Sequence, residues 1–233
     1  MEVKELFGSA LQEHKKRNFL SAEKLYKQIL KTYPNEVSTL NNLGTVLKEL
    51  GKNKEAIFYY EKALLVKPED LITNYNLGLT FASIDEFQKS INYYEKVIKI
   101  DEKHIQSYHN LMDIYEKTNN HEKLEEIIIK AKSYLKNNPI IKLYEGNLLY
   151  KKEKFDEAIN NLESISFDFN KIKQEQLRVS TLGKCYDRSK HFDKAFENFS
   201  KANRISFKLK SKNINKDLYL EKIENRNIFF NKL

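Results

Sequence analysis

The sequence has little of what breaks helices or cross-links a chain. A single cysteine among 233 residues, Cys185, excludes an internal disulfide and argues against a cysteine-built metal site, which fits a reducing compartment. Three prolines and six glycines leave long helices with few sharp turns. The glycines at 8, 44, 51, 78, 146 and 183 never cluster, so no glycine-rich phosphate loop can form. No run of about 18 apolar residues occurs, so no membrane span is expected. Met1–Phe19 is charged throughout and offers no apolar export-signal core, which makes the cytoplasm the expected location.

Hydrophobic residues make up 40% of the chain and charged residues 32%, a balance that suits helices with one buried and one wet face. The net charge of +8 is not evenly spread. Residues 204–233 hold eight Lys/Arg against three Asp/Glu, leaving 33 against 30 before them. The body is nearly neutral and the C-terminal tail is basic. No helix interleaves basic and aromatic residues along one exposed face, which argues against a nucleic-acid partner.

One stretch, Val37–Asp70, organises the rest. Leu40, Leu43, Gly44 and Leu47 share one helical face, Ala56, Tyr60 and Ala63 a second, and Pro68 closes the unit. Single positions then recur along the chain. The small residue of the first helix falls at Ala10, Gly44, Gly78, Met112, Gly146 and Gly183; that of the second at Ala22, Ala56, Ser90, Leu124, Ala158 and Ala195. Both series step by 34 four times and then by 37. Small residues let crossing helices approach, while large partners at Tyr26, Tyr60, Tyr94, Ile128, Leu162 and Phe199 fill the remaining volume.

This period and pattern resemble the tetratricopeptide repeat. The resemblance implies an all-α, right-handed superhelix of about six helix–turn–helix units, at 3–36, 37–70, 71–104, 105–138, 139–172 and 176–207, with a further helix at 213–231 that caps the stack or connects it onward. Glu13 stands at an apolar position of the first unit, as suits a cap. The third unit has Glu102 in place of the closing proline, and the fourth puts Met112 and Leu124 at both crossing positions, which should spread its helices. Ser166–Lys173 holds three extra residues and the loop-like run Ser166–Asn170.

No catalytic constellation emerges, and the chain reads as a non-enzyme without cofactor or metal. His14, His104, His109, His121 and His191 show no zinc spacing. Cys185 lies near the apolar line of Leu182 and Tyr186 with no matched base, as a buried structural thiol would.

Function is therefore expected in surface recognition. In a tetratricopeptide superhelix, the resemblance implies, the first helices line the concave side. Asn42, Asn76 and Asn110 occupy one position of three consecutive first helices, and each amide offers a donor and an acceptor. Such a row could hold an extended protein segment or peptide by its main chain, and it resembles the asparagine ladder of O-linked N-acetylglucosamine transferase. Gly8, Tyr144 and Thr181 take the place in the first, fifth and sixth units and limit the row to three. Asn41, Tyr75 and His109 one position earlier, and Thr45, Leu79 and Asp113 three later, are expected to surround the row in the peptide site, with Tyr75, Leu79 and His109 as its side-chain pockets. The basic residues of the two-carboxylate clamp are replaced by residues such as Ile72, Asn76, Gln106 and Asn110, which argues against a chaperone-tail adaptor.

A second resemblance covers both ends. Ala22–Leu30 with Pro34, then Leu182–Asp187, Phe192–Glu197 and Lys201–Asn203, and Tyr219–Phe230, are similar to the repeat region of bacterial proteins that join tetratricopeptide repeats to a sulfotransferase. That resemblance implies an alternative role as the substrate-recognition region of such an enzyme. The donor-binding Gly-x-Pro-Arg-Ser-Gly-Thr-Thr loop is absent from this chain, so sulfuryl transfer is not expected of it.

Overall fold

The structure is a computed structural model and describes residues 3–211. The helix expected at 213–231 lies outside the described residues. Twelve α-helices and one 3-10 turn are found among the described residues, with no strand. The chain divides into two compact units, Met1–Leu135 and Lys136–Leu233.

The first unit holds four helix pairs: α1 (Val3–Lys15) with α2 (Phe19–Thr32), α3 (Val37–Glu49) with α4 (Asn53–Val66), α5 (Leu71–Ser83) with α6 (Phe87–Ile100), and α7 (Ile105–Lys117) with α8 (His121–Tyr134). The second helices α2, α4 and α6 also pack on the first helix of the next pair, so the unit is a stack. The crossing rule acts directly within the pairs. A Cβ built on Gly44 would meet the ring of Tyr60 at 2.6 Å, and one on Gly78 the ring of Tyr94 at 2.5 Å. Both rings are buried (0 and 1% exposed), so the glycines are what lets α3 reach α4 and α5 reach α6. Met112 and Leu124, which replace the small residues where α7 crosses α8, are both buried.

The turn inside each pair has its own register. Arg17, Gly51, Asp85, Asn119, Glu153 and Lys190 all have positive φ, between 53° and 76°. At each of them the next residue's N–H reaches back five positions, as from Lys52 to the Leu47 carbonyl at 2.9 Å, while Gly51 N–H reaches Lys48 O at 2.9 Å. These are Schellman motifs, which satisfy the last carbonyls of the first helix and reverse the chain. Between pairs the chain is closed by side-chain caps. Glu36 accepts from Ser38 and Thr39 N–H, Asp70 from Thr73 N–H at 3.0 Å, and His104 Nδ1 from Ser107 N–H at 3.3 Å. His104 supplies the cap at the boundary that lacks the proline.

The second unit contains α9 (Pro139–Lys151), α10 (Phe155–Glu163), the 3-10 turn Phe169–Lys171, α11 (Ile172–Arg188) and α12 (Phe192–Ser211). Gly146 and Gly183 repeat the close approach, against Leu162 at 2.5 Å and Phe199 at 2.8 Å. The three extra residues lie between α10 and α11. Asp168 caps the 3-10 turn through the N–H groups of Asn170 and Lys171, and α11 starts at Ile172, so residue 176, where the sixth repeat was expected to begin, lies inside it. A buried ion pair anchors this junction. Arg178 Nε and Nη2 donate to both Glu175 oxygens at 2.8 and 2.7 Å, and Nη1 donates to Leu162 O at 3.1 Å.

Candidate functional site

The nine residues expected to form the binding face lie on α3, α5 and α7 of the first unit, and all are half-buried. Half-burial follows from their place on the helices: they flank the buried lines of Leu43, Leu77 and Leu111 without belonging to them. The stack joins them across repeats. Asn76 Nδ2 donates to Asn41 Oδ1 at 3.0 Å, an oxygen that also accepts from the Thr73 hydroxyl at 3.3 Å. Asn110 Nδ2 donates to the Tyr75 hydroxyl at 3.3 Å. In both cases the ladder position of one repeat bonds the preceding position of the repeat before.

The three amides are therefore not equivalent. Asn76 and Asn110 each hold one N–H in a bond between repeats, whereas Asn42 makes no side-chain hydrogen bond among the described residues. The residue in the matching place of the first repeat is Phe7, which has no acceptor and packs instead on Tyr26, ring centroids 6.0 Å apart. Sequence reasoning assigned all three amides to a ligand; the bonds between repeats escaped it. Their signal is a 35-residue spacing between two polar residues, one more than the repeat.

The flanking residues are also organised. The Tyr75 ring packs against Tyr94 at 5.8 Å and edge-on against His104 at 5.0 Å. Thr45 donates to Asn41 O at 3.1 Å and accepts from the Tyr60 hydroxyl at 3.1 Å. His109 and Asp113 approach to 3.9 Å, one turn apart on α7, and Leu79 adds apolar surface. Thr73 and His104, which support Asn41 and Tyr75, were not among the expected site residues. Burial pushes the Tyr60 hydroxyl up to about 12 and holds the His104 imidazole below its ordinary range. These groups can hydrogen-bond and pack; none is arranged as a nucleophile beside a base.

Elsewhere, burial pushes the Cys185 thiol up to about 11, which suits a packing role. Among the described residues no group of three His, Cys, Asp or Glu could hold a metal ion, and no helix is long and apolar enough to cross a membrane.

Antiparallel helix pairs, each closed by a left-handed turn and four of them packed through a glycine against a large side chain, are the repeating element of an all-α solenoid. Residues 37–70 and 72–104 match two family models, each described as "Tetratricopeptide repeat". The chain has the fold of a tetratricopeptide-repeat superhelix. It is similar to YrrB, described as a TPR protein with an unusual peptide-binding site, at 16% identity over 81% of this chain and 98% of that one, TM-score 0.60. PilF of Pseudomonas aeruginosa aligns at 14% identity over 87% and 91%, TM-score 0.69. A tetratricopeptide repeat protein from Parabacteroides merdae ATCC 43184 aligns at 18% identity over 94% and 82%, TM-score 0.57. At such identities the likeness is one of fold. No curated protein matches the chain.

Proposed function

We propose that this chain is a non-catalytic tetratricopeptide scaffold that binds a protein or an extended peptide along the face formed by α3, α5 and α7. The observation that carries the reading is the row Asn42, Asn76 and Asn110 with Tyr75, Leu79 and His109 beside it, in which bonds between repeats to Asn41 and Tyr75 hold the amides of Asn76 and Asn110. Groups fixed before the ligand arrives lose little entropy on binding, so a preorganised polar row suits a main chain whose own groups repeat regularly. The peptide-binding site named for YrrB supports the class of ligand; the residues rest on this chain alone. The compartment that fits one buried cysteine is the cytoplasm.

The role as recognition region of a sulfotransferase gains no support from the comparisons. The proposal is tested by affinity capture with the wild-type chain and with Asn42, Asn76 and Asn110 all changed to alanine. Partners recovered by the wild type should be lost from the triple variant; unchanged recovery would remove the row from the function.

A further inference from the structure

The first helices carry glycine for two different reasons. Gly44 and Gly78 sit under tyrosine rings that leave no room for a Cβ. Gly8, at the ladder position of the first repeat, is exposed, and a Cβ built on it would meet nothing within 4 Å. Packing gives no reason for glycine here, and in the middle of α1 it weakens the helix. A glycine with open space above it is what a closely approaching backbone needs. The next rung, Asn42, is the ladder amide whose side chain has no hydrogen-bond partner among the described residues, because Phe7 cannot accept where Asn41 and Tyr75 do.

Two independent features thus fall on neighbouring rungs at one end of the row. We infer that main-chain recognition is concentrated at this end: Gly8 opens the floor for a close-lying extended peptide, and Asn42 pairs one of its peptide units, accepting from its N–H and donating to its C=O. The far end has a different task. There Asn110 is turned to the Tyr75 hydroxyl, and the half-buried Tyr75, Leu79 and His109 form the wall against which a side chain of the same peptide would pack. The ligand class is an extended peptide read by its backbone at the Gly8–Asn42 end and by a side chain at the Tyr75–His109 end. This rests on the peptide-binding reading given above.

The test uses the 233-residue chain and a displayed library of random twelve-residue peptides, with the enriched peptide synthesised and labelled for anisotropy titration. Asn42→Ala and Gly8→Leu should each weaken binding at least fivefold, with the thermal midpoint of Gly8→Leu no lower than wild type. Asn110→Ala should weaken it less than either. N-methylation of one central peptide nitrogen should cost wild-type affinity at least fivefold and leave Asn42→Ala nearly unaffected. Binding by Asn42→Ala or Gly8→Leu within fivefold of wild type overturns the inference, as does a larger loss in Asn110→Ala. If the triple asparagine variant loses binding while Asn42→Ala and Gly8→Leu keep it, only this inference fails. If the triple variant keeps full affinity, or no peptide is enriched, the peptide-binding reading itself fails with it.

Discussion

At the scale of the residue, the same amino acid has opposite energetic signs at different repeat positions. Gly44→Ala puts a methyl group 2.6 Å from a buried ring, so Tyr60 or the α3 backbone must move. Overpacking of this kind costs about 1–3 kcal/mol. Chemical denaturation should show that loss, and Gly78→Ala should match it against Tyr94; a stability equal to wild type would refute the close-packing account. These positions were legible in the sequence because packing tolerates so few residue types there, and Gly44 and Gly78 stand at the expected places. Asn41 was legible only as a neighbour of the row. Its part as acceptor for Asn76 and Thr73 depends on how two helices lie side by side, which the repeat period alone does not express.

At the scale of the element, the turns within the pairs are the most regular feature and the least readable one. Of the six left-handed residues only Gly51 is glycine; Arg17, Asp85, Asn119, Glu153 and Lys190 adopt the same backbone conformation because the Schellman bonds and the packing of both helices impose it. A non-glycine residue there carries roughly 1–2 kcal/mol of strain, partly offset by the entropy that a glycine would lose on folding. Glu153→Gly and Lys190→Gly should therefore stabilise the chain by up to about 1 kcal/mol each, read as an increase in the denaturant midpoint at unchanged slope. The reverse substitution, Gly51→Val, should destabilise by more, since a β-branched side chain fits that conformation worst. The α10–α11 junction was legible as an insertion but not as a buried site: nothing in the spacing of Glu175 and Arg178 distinguishes them from a surface pair three residues apart.

At the scale of the whole molecule, the first unit carries both the proposed binding face and two half-buried imidazoles, so its stability should depend on mild acid. Burial lowers the affinity of His14 and His104 for protons, outweighing the opposing pull of Glu49 on the first and of Asp101 on the second. Unfolded, both would protonate near pH 6.5; folded, only at lower pH. The unfolded chain then binds more protons, so the stabilisation is complete above about pH 6.5 and is lost as pH falls through the window below it. Thermal midpoints measured from pH 7.5 down to 5 should fall, and His14→Phe with His104→Asn should flatten the fall, since phenylalanine keeps the aromatic packing beside Phe19 and Tyr26 and asparagine keeps a cap. A pH profile that the double variant leaves unchanged would contradict this.

The central claim is that the asparagine row is used for binding and not only for holding repeats together. Asn76 and Asn110 bond neighbouring repeats, so their loss could act through stability alone; Asn42 separates the two roles because it makes no such bond. The most direct measurement is affinity capture by wild type, Asn42→Ala and the triple alanine variant, with circular dichroism and thermal midpoints taken on the same samples. Loss of partner from Asn42→Ala at an unchanged midpoint, and from the triple variant while it remains folded, is the expected result. Full recovery of the same partner by the folded triple variant would contradict the account.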